Sequence, residues 1–310
     1  MPQYELPPIY YGPSSKVYPM AGANWGHKAF NVPALQDKIG PNPQTIIGII
    51  DTGVDRSHPS LSNVIDAKDF TGSRNGYNDV HGHGTHVTGT VGCTERTIGV
   101  ASGFKLVHGK GLSDQGSGND SIVNAMEWCV GRGAKVLSLS LGGGGQSQDW
   151  ERRFELMAKA GVIIVFAAGN SGPNTPDTDW PGRSEHVLNC AALGQDLNPA
   201  PFTNAGDKID MAWSGVDILS LRPASLGGGY QTMSGTSMAT PGSAGELALY
   251  LELLTQNSQT WPNVYELREK LKTRAVDVYQ PGDDRRTGPG WPSPNMLAFD
   301  ASPDPFPLGA

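Results

Sequence analysis

The sequence predicts an α/β fold, a three-layer sandwich with a mainly parallel central sheet and helices on both faces. Two observations support this prediction. Apolar runs of strand length alternate with segments of helical periodicity, which is the order found in parallel sheets. The run Thr45-Ile-Ile-Gly-Ile-Ile50 is almost wholly apolar, as expected of a strand covered on both faces. The 310 residues, with 41 glycines and 24 prolines, suit one large domain rich in turns.

The predicted elements follow in order from residue 45. After the strand at 45–50, which ends on Asp51 and a turn, residues 83–90 change from loop to helix near His83. Further strands are predicted at 105–107, 134–140, 162–166, 187–192 and 208–213. Helices are predicted at 121–130, around Trp150, Phe154 and Met157, at 246–254 and at 263–273. Residues 1–19 show neither period, and the proline-rich chain from about residue 281 is expected to pack on the surface as a loop-rich tail.

Composition excludes several classes of function. The net charge of −7 argues against nucleic acid or an anionic membrane as the main partner. No apolar run reaches the roughly 18 residues of a spanning helix, and the first residues lack the pattern of a signal peptide. The three cysteines are scattered, which is typical of small buried residues in a reducing compartment, although one disulfide plus a free thiol stays open. We therefore expect a cytoplasmic protein, or a secreted one if an export segment has been removed.

Ser237 is the candidate nucleophile. It follows the turn Met233-Ser-Gly235 and begins an apolar helical stretch, where unpaired backbone N–H groups and the helix dipole favour an anion. An oxyanion formed by attack of this hydroxyl on a carbonyl would face those donors. A lone serine here would equally well be a helix cap. A serine nucleophile also needs a base and a group that orients the base, and Asp51 and His83 supply both residue types on their own glycine-containing motifs.

These motifs resemble the three signatures of the subtilisin-like serine proteases. They are Asp51-Thr-Gly, His83-Gly-Thr-His and Gly235-Thr-Ser-Met-Ala-Thr-Pro, in the order Asp, His, Ser that characterises the family. Three further segments resemble the family's substrate-binding and oxyanion motifs: Gly116-Ser117-Gly118, Ser140-Leu141-Gly142-Gly143 and Ala167-Ala168-Gly169-Asn170. The resemblance covers roughly residues 20–300. It implies an N-terminal extension at 1–19 and a peptidase domain at 20–310.

The resemblance implies a serine endopeptidase that acts through an acyl-enzyme and needs no catalytic cofactor. His83 would take the proton of Ser237 and return it to the leaving amine, while Asp51 orients the imidazole. Asn170 and the Ser237 N–H would bind the oxyanion. Polypeptide substrates would lie as an added strand between residues 116–118 and 140–143, with 167–169 walling the primary pocket.

Other functions are weighed against this one. The spacing of His81, His83 and His86 is that of a zinc motif, but Thr85 stands where that motif has an aspartate. The glycines at 142–145 lack the residues of a nucleotide-binding loop. An inactive peptide-binding homologue conflicts with the intact candidate triad. A peptide ligase using the same acyl-enzyme stays open.

The sequence departs from the secreted relatives at their tight calcium site. The corresponding places are Ala21, Ser60 and the short segment Cys93-Thr-Glu-Arg-Thr97, which together offer few oxygen ligands. We expect this calcium site to be absent, while another structural calcium site stays open.

The N-terminal extension and Asp179 are each expected to affect the substrate-binding cleft. Intracellular relatives carry short extensions that block the cleft, and Leu6-Pro-Pro-Ile-Tyr-Tyr11 could lie in the groove as a strand whose prolines resist cleavage. A passive tail is the alternative. Asp179, just before Trp180-Pro-Gly182, corresponds to the floor of the primary pocket and would favour Arg or Lys before the scissile bond. If Asp179 faces solvent instead, large apolar residues are expected there.

Overall fold

A computed structural model of the protein describes residues 3–16, 24–40 and 42–292. Its strands are, in chain order, β1 (Tyr4–Glu5), β2 (Tyr10–Ser15), β3 (Ile46–Asp51), β4 (Val64–Asp69), β5 (Lys105–Lys110), β6 (Ser117–Gly118), β7 (Ala134–Leu139), β8 (Ile163–Ala167), β9 (Leu188–Leu193), β10 (Met211–Ser214), β11 (Ile218–Leu221) and β12 (Tyr230–Ser234). The α-helices are α1 (Trp25–Ala29), α2 (Val32–Lys38), α3 (His83–Gly92), α4 (Asp120–Gly131), α5 (Gln148–Lys159), α6 (Thr236–Gln256) and α7 (Val264–Arg274).

A seven-stranded sheet forms the centre of the described chain. Its order is β10-β9-β8-β7-β3-β5-β4, and every neighbouring pair is parallel. Alternate residues of β3 belong to different cores: Ile47 and Ile49 pack on the side of α3 and α6, and Ile50 on the side of α4 and α5. The predicted three-layer α/β sandwich is therefore confirmed.

Two smaller sheets involve the N-terminal residues. β1 pairs antiparallel with β6, and β2 is the outer strand of a sheet in the order β11-β12-β2. The sequence predicted no strand here because residues 1–19 do not alternate between apolar and polar. In the structure, β2 has exposed side chains on both faces and contains Gly12 and Pro13. Main-chain pairing with β12, rather than burial of a side-chain face, holds β2 in place.

Residues 287 to 292 differ from the expected surface tail because they are buried, whereas residues 281 to 286 are exposed or half-buried. Trp291 is only 3% exposed and packs against Phe30 and Trp213. Its backbone pairs with Val276. This part of the tail therefore completes the core over α6, and the rest of the predicted tail lies outside the described residues.

Candidate active site

Asp51 and His83 meet at the carboxyl end of the central sheet. Asp51 ends β3, His83 begins α3, and both side chains are fully buried. His83 Nδ1 lies 2.7 Å from Asp51 Oδ1, which also accepts the Thr52 N–H at 2.7 Å. Burial alone raises the pKa of Asp51, but the neighbouring imidazole and these hydrogen bonds outweigh it and leave the pKa below its ordinary value. An ionised Asp51 fixes the proton of His83 on Nδ1 and leaves Nε2 as the basic atom.

Asp79 and Thr52 hold the end of β3 against the start of α3. Asp79 is buried and accepts hydrogen bonds from the backbone N–H groups of residues 81, 82 and 85 and from the Thr52 hydroxyl. The Thr52 hydroxyl in turn accepts the Gly84 N–H at 3.0 Å. A side chain at Gly84 would stand 2.1 Å from the Gly53 carbonyl oxygen, so the helix can approach this turn only with glycine there. Asp79 was not among the residues predicted for the site, although a carboxylate just before a helix start is a usual capping signal.

Ser237 is the second residue of α6 and is fully buried. Pro241 lies four residues later inside the helix and has no N–H to donate to the Ser237 carbonyl. The Ser140 hydroxyl donates to that carbonyl instead, at 2.8 Å. This bond joins the predicted substrate-binding strand to the backbone of the nucleophile.

The Ser237 hydroxyl makes no hydrogen bond to the candidate base, His83. Ser237 Oγ donates to the Ser140 carbonyl oxygen at 3.3 Å, and His83 Nε2 has no hydrogen-bond partner among the described residues. The described conformation therefore has the His83–Asp51 bond but lacks the bond from Ser237 to His83 that would activate the hydroxyl.

Asn170 lies in the turn after β8 with its amide oriented by Thr236. Asn170 Oδ1 accepts the Thr236 N–H at 2.9 Å and the Thr236 hydroxyl at 2.8 Å. Its Nδ2 group consequently points into the cleft, where it donates to the Pro8 carbonyl oxygen at 2.7 Å. A peptide carbonyl thus occupies the place predicted for an oxyanion.

The N-terminal residues lie in the predicted substrate groove. Glu5 exchanges backbone hydrogen bonds with Gly142, at 3.0 and 3.1 Å, and the Leu6 N–H donates to the Gly116 carbonyl oxygen at 3.0 Å. β1 pairs with Ser117 and Gly118 on the same side. The segments 116–118 and 140–143 therefore flank an extended peptide, as predicted for substrate, and the peptide is the protein's own.

Tyr4 anchors this peptide in an aromatic pocket that our sequence analysis did not identify. Its ring is 2% exposed and lies 4.3 Å from the ring of Trp150 and 5.5 Å from that of Trp180, measured between centroids. Its hydroxyl donates to the Gly145 carbonyl oxygen at 3.1 Å. An aromatic residue two positions before Leu6 was the available signal, but its two tryptophan partners are distant in sequence.

Asp179 lies between the two predicted walls of the primary pocket. A Cβ atom added at Gly142 would stand 2.9 Å from Asp179 Cβ, and one added at Gly169 would stand 2.5 Å from Asp179 Oδ2. The Asp179 N–H donates to the Ala168 carbonyl oxygen at 3.1 Å, and Asn204 donates to the carboxylate at 3.3 Å. The side chain is half-buried, and burial raises its pKa, an effect that Arg183 and the Asn204 hydrogen bond oppose. Of the remaining wall residues, Leu141 and Ala167 are buried, and Gly143 adopts a φ of 84°.

The chain is similar in sequence to a known protein family over most of its length. The model of the subtilase family matches residues 42–290. This chain belongs to the subtilase family. It is 35% identical to an intracellular serine protease of Paenibacillus polymyxa over 75% of this chain and 74% of that one. It is 34% identical to subtilisin E of Bacillus subtilis (strain 168), over 81% of this chain and 66% of that one, and to subtilisin of Bacillus pumilus, over 81% and 91%.

As a member of this family, the chain is a serine endopeptidase that acts on polypeptides. None of its described helices combines the length and apolar character needed to cross a membrane. Cys93, Cys129 and Cys190 are buried and form no disulfide, as the pattern of small buried residues indicated.

His81 and His86, which have the spacing of a zinc motif, are not placed to share a metal ion with His83. His86 is buried, and its Nε2 donates toward the carbonyl oxygens of Ile218 and Gln231. The rings of His81 and His83 are 6.3 Å apart and edge to face. In the described chain no three His, Cys, Asp or Glu side chains are placed to share a metal ion.

The places that correspond to the family's tight calcium site hold a hydrogen-bond network in this subtilase. Glu95 accepts a short hydrogen bond from the Ser60 hydroxyl and another, at 2.8 Å, from the Tyr230 hydroxyl. Ala21 lies outside the described residues. Ser60 and Glu95 thus supply one carboxylate whose Oε1 already has two donors, a poor set for a cation that takes 6–8 oxygens.

Proposed function

We propose that this subtilase hydrolyses peptide bonds through an acyl-enzyme formed on Ser237. His83 removes the hydroxyl proton through Nε2, and ionised Asp51 holds the imidazole and stabilises it once it is protonated. The proton then passes to the leaving amine, and water releases the acyl group. The 2.7 Å bond between His83 and Asp51, with both side chains buried, supports these roles.

The carbonyl of Pro8 is the observation that carries the proposal furthest. It accepts the Asn170 amide at 2.7 Å, at the N-terminus of the helix that bears Ser237. An oxyanion at the same place would receive the Asn170 amide and the Ser237 N–H while its charge develops. Asn170 contributes to catalysis because Thr236 already orients it before substrate arrives.

The described conformation is a self-blocked form of the enzyme in this proposal. Continuing the antiparallel register from the Glu5–Gly142 pair by two residues places Pro7 opposite Ser140. Proline has no N–H to donate to the Ser140 carbonyl, which instead accepts the Ser237 hydroxyl. The segment thus covers the cleft and keeps the nucleophile from its base.

Substrate selection in the primary pocket follows from Asp179. A half-buried carboxylate between Gly142 and Gly169 leaves a charge that an Arg or Lys side chain of the substrate can pair. We therefore propose a preference for basic residues before the scissile bond.

Three further points stay proposals. The tight calcium site of secreted relatives is absent because Ser60, Glu95 and Tyr230 satisfy one another there. The location is cytoplasmic, a view that the intracellular relative favours and the subtilisins leave open. Hydrolysis, rather than peptide ligation, is the reaction, because no observation favours an amine acceptor over water.

A covalent serine probe tests the mechanism. Full-length enzyme carrying Tyr4→Ala, which loosens the N-terminal segment, is incubated with a phosphonate probe and with a peptide substrate. We expect label on Ser237, and none after Ser237→Ala. Ser243→Ala on the same helix is the control and should label normally. Asn170→Ala should lower kcat by about 10²- to 10³-fold with little change in KM. Unlabelled Ser237 in a folded protein, or full turnover by Ser237→Ala, would overturn the proposal.

A further inference from the structure

β12 has one edge that residues 10–15 alone cover in the described chain. Its other edge pairs with β11, so the sheet order is β11-β12-β2. In the outer pair, Tyr10 lies opposite Ser234 and Ser15 lies opposite Tyr230. If the N-terminal segment left the cleft, β12 would present a row of unpaired backbone N–H and C=O groups.

This edge leads directly away from the nucleophile. β12 ends at Ser234, and Ser237 follows three residues later on α6. The Pro8 carbonyl oxygen lies at Asn170, and the residues that follow Pro8 run along β12 with increasing distance from Ser237. A substrate chain whose carbonyl oxygen is held by Asn170 in the same orientation as that of Pro8 has this edge next to its following residues.

The contact between β2 and β12 is made mainly by the backbone. Five of the six residues of β2 are exposed, including Tyr10 at 50% and Tyr11 at 55%. Its Gly12 and Pro13 disfavour strands, so the edge itself imposes the extended form. One position is selective: a Cβ atom added at Gly12 would lie 3.2 Å from Thr232 Cβ and 3.3 Å from its carbonyl oxygen.

We propose that the β12 edge is a second recognition surface for substrate, which binds the residues after the scissile bond as an added β-strand out to about the seventh residue. The inference rests on the proposed peptidase activity and deepens it. Recognition through the backbone tolerates most side chains, except that a small residue is preferred opposite Thr232. The enzyme therefore favours long, extended chains over short peptides.

The test compares peptides that share one sequence before the scissile bond and carry two, four, six or eight residues after it. The enzyme is the full chain with Tyr4→Ala and Gly12→Val, which weaken the two anchors of its own segment. We expect kcat/KM to rise by at least about tenfold between two and eight residues and to level off near seven. N-methylation of successive backbone amides from the third to the sixth residue should abolish the gain at some positions, whereas alanine substitutions there should not.

A valine scan of the same four positions tests the close approach. One position should disfavour valine against glycine, and Thr232→Gly should remove that selectivity. Equal kcat/KM for the shortest and longest peptides would overturn the inference while leaving the peptidase mechanism intact, as would a gain that survives every N-methylation. Absence of hydrolysis of all peptides together with an unlabelled Ser237 would instead overturn the proposed function, and this inference with it.

Discussion

Replacement of Tyr4 by alanine should release the cleft. Tyr4 is 2% exposed, contacts the rings of Trp150 and Trp180, and donates one hydrogen bond to Gly145. Burial of a large apolar side chain contributes about 1.5–3 kcal/mol, aromatic contacts about 0.5–1.5 kcal/mol, and a neutral hydrogen bond about 0.5–1.5 kcal/mol. Their loss weakens docking by about 2.5–6 kcal/mol, which shifts the equilibrium between docked and free segment by about 10²- to 10⁴-fold.

The assay is the initial rate on a short chromogenic peptide, with mass spectrometry showing that the chain remains full length. The rate of Tyr4→Ala should exceed that of wild type by at most the shift in the docking equilibrium. The increase is smaller if most molecules of the variant already have a free cleft. Tyr10→Ala is the matched control because Tyr10 is half-exposed and its ring stacks, within the described part of the chain, on that of Phe202 at a centroid distance of 5.2 Å. It should raise the rate by less than about tenfold. Equal rates for intact wild type and Tyr4→Ala would refute a blocking role and favour a passive tail.

Four further predictions concern Asp179, Glu246 and calcium binding. Asp179→Asn should lower kcat/KM for Arg or Lys substrates by at least about tenfold and leave Phe and Leu substrates unchanged; dominance of Phe and Leu in both enzymes would remove Asp179 from the pocket. Because burial raises the pKa of Asp179, the preference for Arg should fade on acidification at a higher pH than for an ordinary aspartate. Burial raises the pKa of Glu246 well above its usual value, although hydrogen bonds from Tyr250 and Trp291 oppose this shift. The protonated carboxyl group therefore contributes stability that is fully present below the unfolded-state pKa. This contribution is lost as the pH rises through the folded-state pKa. Glu246→Gln should therefore gain about 1 kcal/mol at neutral pH and show a flatter pH dependence in urea unfolding; parallel curves would contradict this. Calorimetric titration of wild type should show no calcium binding tighter than roughly 10⁻⁶ M, and a tight site that Glu95→Gln abolishes would reverse the proposal.

The sequence by itself determined the fold class and the candidate catalytic residues. Asp51, His83 and Ser237 lie where a strand ends or a helix begins, and the residues around them are constrained locally: Gly84 by the approach to Gly53, and the Ser237 turn by the helix start. Because these constraints act between residues close in sequence, they produce short motifs that can be recognised without knowing the distant contacts. The alternation of apolar runs with helical segments likewise reflects burial of each element on its own faces.

Only the tertiary structure decided where the N-terminal residues lie. Their strands have backbone partners at Gly142, Ser117 and β12, which lie more than 100 residues away, and nothing in their own periodicity specifies that pairing. The burial of Tyr4 is likewise decided at a distance, by tryptophans on α5 and on the loop that follows Asp179. The Ser237 hydroxyl likewise donates to a distant partner, the carbonyl oxygen of Ser140, which lies 97 residues earlier in the chain. These features arise from contacts between distant segments, and a sequence motif records only the contacts that a residue makes with its neighbours in the chain.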